Sequence, residues 1–250
     1  MTRQIAFDAL AMRCVEGGPE AGVSDPSRAS VKPSTEARPP AEPARRVIAI
    51  GGASHVGKST LAQSLAASLK WPVVSTDKLA RHPGRPWPVV PPHVAEHYLK
   101  LSPRAVFQFL LVHYDNMWPR IRDLILSHVA DPRLDPIILE GSALRPGDVA
   151  RLASPNVEAA WLAGNGNAIR NRILQGSGYS NAPARQRQMI DRFVSRSIMD
   201  NERIVEEAGR LGQKILDMER PQEIEDFVGR CLRRTGCAAP PLPGADRDGA

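Results

Sequence analysis

Apolar residues in this chain gather into short β-branched runs, separated by longer stretches in which they recur at helical spacing. That alternation predicts an α/β fold with a parallel sheet. Val47-Ile48-Ala49-Ile50 is the first run, Trp71 to Ser75 the second, and Pro136-Ile137-Ile138-Leu139 the third. Val157 to Leu162 makes a fourth and Gln213 to Asp217 a fifth. Runs that are apolar at nearly every position, rather than at alternate ones, suit strands covered on both faces. Between them, Leu61, Leu65 and Leu69 share one helical side. Ser102-Pro103 reads as a cap and a first-turn proline. Apolar positions from Val106 through Phe109, Leu110, Met117 and Ile121 to Val129 then predict a helix over 103–130 with a kink at Pro119. Phe107 and Trp118 read as packing residues, and His113 and His128 as structural. Pro221 to Arg234 reads as the closing helix.

Composition changes the picture at the two ends. Six of the 23 prolines precede Arg45, among Ala, Ser, Glu and Arg with few large apolar residues. Such a stretch buries too little surface to offset its ordering entropy, so residues 17–44 and the tail 236–250 are expected to be disordered. The expected organisation is an extension over 1–44, one domain over 45–235 and a tail over 236–250. The two ends carry 6 basic and 8 acidic residues, so the span between them has a net charge of +8, against +6 for the whole chain. A basic domain suits an anionic ligand, phosphate first. No apolar run reaches the roughly 18 residues of a membrane span. Asp8 and Arg13 interrupt the start where a signal peptide would be apolar, so a cytoplasmic protein with no membrane partner is expected. Cys14, Cys231 and Cys237 have neither the number for a disulfide framework nor the spacing of a zinc site.

The most informative segment follows the first run. Gly52-Ala53-Ser54-His55-Val56-Gly57-Lys58-Ser59 fits GxxxxGK[ST] in full, lies between an expected strand and an expected helix, and continues into Thr60. Glycines there let backbone N–H groups turn inward around phosphate oxygens, and the helix N-terminus adds partial positive charge. Lys58 can reach the β- and γ-phosphates as a point charge, and the Ser59 hydroxyl can ligate Mg²⁺. The chain is therefore expected to bind a nucleoside triphosphate.

Three further features gain meaning beside that loop. Asp77 follows the second strand, where ligands of open α/β sheets sit. It can take a proton from a substrate hydroxyl, or it can serve as a helix N-cap. The loop from Arg81 to Pro88 offers Arg81 and Arg85 as a clamp for an anionic acceptor, or is a rigid surface connection. Glu140 ends the third strand, either to hold the Mg²⁺ water shell or to face solvent, and Gly141-Ser142 allows close backbone approach. Arg170, Arg172, Arg185, Arg187, Arg192 and Arg196 are opposed only by Asp191 between 165 and 196. Together they read as a cationic lid over a transferring phosphoryl group, although any single one could lie on a solvated helix face.

The phosphate loop, Ser75-Thr76-Asp77, Leu139-Glu140-Gly141 and the arginine-rich insert resemble P-loop small-molecule kinases over roughly residues 45–233. The chain is similar in fold to nucleoside monophosphate kinases, with 2-phosphoglycerate kinase-like proteins as nearest kin. The resemblance implies a three-layer P-loop NTPase fold with a five-stranded parallel sheet and a helical lid. It also implies Mg²⁺ and ATP in the loop and γ-phosphoryl transfer to a small, anionic or hydroxylated acceptor. Carried over, Lys58 and Ser59 hold phosphate and metal, Asp77 adjoins the acceptor, Glu140 lies near the metal, and Arg170 or Arg172 belongs to the lid. The chain departs from the family in lacking an adenylate-kinase-like arginine pattern after Asp77. A toxin-like or antibiotic-modifying kinase is a substrate variant of the same reading. The competing reading is an NTP-binding regulator or weak NTPase with a macromolecular partner. Low aromatic content, 5%, argues against nucleic-acid stacking.

Overall fold

The computed structural model describes residues 45–80 and 84–235. The expected disordered ends and Arg81 lie outside those residues. The chain alternates strand and helix, as the sequence predicts. β1 (Val47–Gly52) leads into α1 (Lys58–Leu69), and β2 (Val73–Ser75) into a 3₁₀ turn at Thr76–Lys78. α2 (Pro92–Lys100) and α3 (Pro103–Ala130) follow, then β3 (Ile137–Glu140), α4 (Pro146–Ala150) and β4 (Val157–Ala163). α5 (Gly166–Ser177), α6 (Ala184–Arg210), β5 (Ile215–Asp217) and α7 (Pro221–Arg234) complete the order.

The five strands form one sheet in the order β2-β3-β1-β4-β5, with every pairing parallel. Side chains alternate across a strand, and here the alternation divides two cores. Ile48 and Ile50 of β1, Ile138 of β3 and Leu162 of β4 pack with α1, α5, α7 and the first half of α6. Val47, Ala49, Ile137, Leu139 and Trp161 pack on the other face with α3 and the second half of α6. Helices therefore cover both faces, which makes a three-layer α/β fold. It also explains why β1 is buried at all six positions. Each fully buried isoleucine contributes roughly 1.5–3 kcal/mol, so the short strands suffice to fix the register.

Several elements depart from the expectation for local reasons. α1 begins at Lys58, with Gly57 in the N-cap position at φ 101°. α2 and α4 were not foreseen; both are short and begin with a proline in the first turn. α3 has the predicted bounds, and the Ser102 hydroxyl accepts from the Ala105 amide at 3.2 Å as its cap. It runs on through Pro119. Phe109, counted on its apolar stripe, is 58% exposed, and the buried stripe runs instead through Leu110, Tyr114, Met117, Ile121 and Ile125. β5 starts two residues later than expected, while the Gln213 side chain donates to the Pro146 carbonyl at 3.1 Å. No helix among the described residues is long and apolar enough to cross a membrane.

Candidate nucleotide and acceptor site

β1 ends in Gly51-Gly52 because no side chain fits there. A Cβ on Gly52 would come within 2.4 Å of the Leu162 carbonyl oxygen, and its φ of 144° is itself costly for any other residue. The chain then turns through Ala53–Val56 into α1, whose N-cap Gly57 carries no capping side chain and whose first turn holds no acid. The first amides of a helix lack partners within it, so these N–H groups and the helix dipole face the loop's interior. This is the geometry of an anion cradle.

Lys58 is buried, and its ammonium donates to the Ala53 carbonyl of the same loop at 2.7 Å. Burial lowers its pKa, while Glu140, Asp77 and Asp200 pull in the opposite direction. The Ser59 hydroxyl donates to Glu140 Oε2 at 3.1 Å, although 81 residues separate them in sequence. The predicted metal pair is thus brought together at the ends of α1 and β3. Glu140 is 6% exposed and does not face solvent. One hydroxyl and one carboxylate suit Mg²⁺, which demands oxygen ligands and takes most of them from phosphates and water. Among the described residues no three His, Cys, Asp or Glu side chains converge on a cage of another kind.

His55 occupies the loop at φ 67°, a left-handed conformation. Its ring meets Phe193 edge-on at 5.9 Å and Trp87 at 5.8 Å, so the loop packs against both α6 and the 84–90 segment. Burial, followed by the charges of Arg85, Lys58, Arg196 and Arg172, pushes its pKa from 6.5 down to about 4. The ring is neutral at physiological pH, and Lys58 supplies the loop's positive side-chain charge. A prediction follows with a definite sign. The folded ring refuses a proton that the unfolded one accepts, so stability is complete above pH 6.5 and falls as pH drops toward 4. Discounted for the solvent that still reaches the ring, the loss is on the order of 1–2 kcal/mol. Urea midpoints measured across that range should show the slope in the wild type and a smaller slope in His55→Gln.

Beside the loop lies a cavity of about 280 Å³. Its polar wall is Ser54 of the loop, Asp77, Ser142, Arg85 and Arg196, and its apolar wall includes Val106, Leu110 and Phe193. Asp77 is the middle residue of the 3₁₀ turn after β2, with Ser75 at the N-cap, so the capping role goes to Ser75's position. Tyr98, whose hydroxyl donates to the Gly84 carbonyl at 3.3 Å, and Tyr114 also line the space.

The six arginines separate in the structure. Arg172 reaches the phosphate loop, donating to the His55 carbonyl at 3.4 Å. Arg170 instead pairs with Asp191 at 3.7 Å and ties α5 to α6. Arg192 donates to the Leu101 carbonyl. Arg185 is exposed and Arg187 half-buried. Arg196 is not part of an outer cover: it is 8% exposed, with its guanidinium 4.1 Å from the Phe193 ring centre.

Sequence reasoning missed a buried polar group behind the cavity. Asp200 is fully buried, lies 4.0 Å from Arg145 and accepts from the Tyr114 hydroxyl at 3.5 Å. Arg145 also pairs with Glu207 at 3.5 Å. Burial raises the pKa of Asp200, against the pull of Arg145 and Arg196. A signal existed: Arg196 and Asp200 share one helical stripe with Met189, Phe193 and Ile204, and charges on an apolar stripe must be partnered or used.

No family model matches the sequence, and no curated protein is significantly similar to it. Solved structures do show likeness. A gluconokinase from Sinorhizobium meliloti 1021 is 16% identical over 77% of this chain and 93% of its own, with a TM-score of 0.40. A shikimate kinase from Bacteroides thetaiotaomicron is 15% identical over 75% and 96%, with a TM-score of 0.38. A deoxyadenosine kinase from M. mycoides, solved with bound dATP, is 14% identical over 74% and 98%, with a TM-score of 0.39.

Proposed function

We propose that this chain is an ATP-dependent phosphotransferase that moves the γ-phosphoryl group of Mg²⁺·ATP to a small hydroxylated or anionic acceptor. The observation that carries the reading is the adjacency of two sites. A phosphate cradle with its lysine, serine and buried carboxylate opens beside a cavity of about 280 Å³ lined by Asp77, Arg85 and Arg196. That volume suits a small molecule.

In this reading the amides of residues 52–60 and the Lys58 ammonium hold the β- and γ-phosphates. Ser59 and Glu140 would hold Mg²⁺, which when bound neutralises phosphate charge. Asp77 accepts the proton of the acceptor hydroxyl as its oxygen bonds to the γ-phosphorus. The bond from that phosphorus to the β–γ bridging oxygen breaks, and ADP leaves. Arg172 lies at the loop to offset charge on the transferring group, with α5 and the start of α6 as the lid, while Arg170 anchors that lid to Asp191. Phosphoryl transfer requires little beyond such placement and charge neutralisation.

The regulator reading loses ground on one point. A continuous basic surface would serve a nucleic-acid partner, yet Arg170 pairs with Asp191, Arg192 donates to the Leu101 carbonyl and Arg196 is turned inward, so the six arginines do not form one outer patch. The test is ADP formation from Mg²⁺·ATP across hydroxy acids, phosphorylated acids, sugars, nucleosides and aminoglycosides. Stimulation well above the acceptor-free rate by one class is expected. ADP release that no acceptor stimulates, with salt-dependent retention on DNA or RNA, would favour the regulator instead.

A further inference from the structure

We propose that the acceptor carries a small ionised group, a carboxylate or a phosphate monoester, that seats on the buried guanidinium of Arg196 with Arg85 as its exposed second partner. This rests on the kinase reading above and narrows its substrate class to hydroxylated anions.

The first reason is the cost of the charge. Arg196 is 8% exposed, and a buried guanidinium with no directly paired counter-charge is strongly disfavoured. No described carboxylate forms an ion pair with it. The acid one turn along α6, Asp200, is already engaged by Arg145 at 4.0 Å and by the Tyr114 hydroxyl at 3.5 Å. Arg196 donates to Tyr98, a phenol rather than a carboxylate. Asp200 attracts it from a distance but forms no ion pair with it, so a direct ionic partner for the guanidinium comes only with an anion in the cavity it lines.

The second reason is orientation. The guanidinium lies over the Phe193 ring at 4.1 Å. Stacking occupies its face and leaves its edge, where the N–H donors lie, for a planar two-oxygen or tetrahedral anion. Phe193, Val106 and Leu110 keep the surroundings apolar, so the pairing is stronger there than in water. The third reason is that Asp77 and Ser54 line the same cavity. One small molecule can place its anion on Arg196 and Arg85 and its hydroxyl toward Asp77 and the phosphate loop. An uncharged polyol or nucleoside would leave Arg196 without a direct ionic partner.

The experiment uses the full chain saturated with Mg²⁺ and a non-hydrolysable ATP analogue, so that the phosphate loop is filled. Glycerate, glycerol 3-phosphate and glycerol are titrated while the thermal midpoint is followed, in the wild type, Arg196→Met, Arg196→Lys and Arg85→Met. At least one anion should raise the wild-type midpoint, and glycerol should not. The responding anion shows whether carboxylate or phosphate is the source. Arg196→Met should weaken that response about tenfold to a hundredfold, the value of a charge-assisted pair. Arg196→Lys, which keeps the charge without the fork, should fall between, and it carries the test should the methionine variant not fold. Three results overturn the inference: no response to either anion, an equal response to glycerol, or an undiminished response in both Arg196 variants. Failure of the wild type to bind the ATP analogue would instead strike at the kinase reading.

Discussion

Lys58→Ala is expected to lower phosphoryl transfer by about a thousandfold, the scale on which removing a fixed positive charge from a transferring phosphate acts. The ammonium is the loop's own cation: it is buried, it donates to the Ala53 carbonyl at 2.7 Å, and its neighbour His55 is neutral. Burial favours the uncharged amine, and Glu140 and Asp77 oppose that. The alanine variant loses the charge and leaves the loop carbonyl without its donor. Steady-state rates with the best acceptor, beside a thermal scan to confirm folding, check this. A variant retaining more than a tenth of the rate would contradict the role.

Asp77→Asn should reduce kcat by about 10²–10⁴-fold, the range for a positioned general base, and leave the affinity for ATP close to wild type. The side chain sits on a 3₁₀ turn at the carboxyl end of β2, on the wall of the cavity rather than in the phosphate cradle. Asparagine keeps the size but loses the negative charge and with it the ability to take a proton. A split in which kcat collapses and nucleotide binding stands separates the two halves of the site. If both fall together, Asp77 acts on the nucleotide or its metal instead.

The parts legible in the sequence are those written over short distances. The phosphate loop is eight consecutive residues, and its chemistry depends on backbone conformations that glycine alone tolerates, so its position and local structure could be read directly. The strands were legible because a strand buried on both faces has no polar positions to obscure it, as β1 shows. Ser59 and Glu140, far apart in the chain, could be paired because strand ends of a parallel sheet converge. The cavity was less legible because its walls come from the phosphate loop, the turn after β2, the 84–90 segment, α2, α3, the turn after β3 and α6. No periodicity within one segment reports on a space shared by seven. Arg196 shows the difficulty most clearly: a basic stretch suggests a solvated face or a lid, and the apolar stripe it shares with Phe193, which faces α2 and Tyr98, is what turns that one arginine inward. Tyr114, Arg145 and Asp200 escaped notice for the same reason, since their partners lie on three separate elements.

The central claim is that the amides around residues 52–60 hold a triphosphate with Mg²⁺. Isothermal titration of the full chain with ATP, with and without Mg²⁺, tests it most directly. One site per chain, strengthened by Mg²⁺ and weakened in Lys58→Ala, is the expected result. A wild-type protein that takes up neither ATP nor GTP in the presence of Mg²⁺ would contradict it.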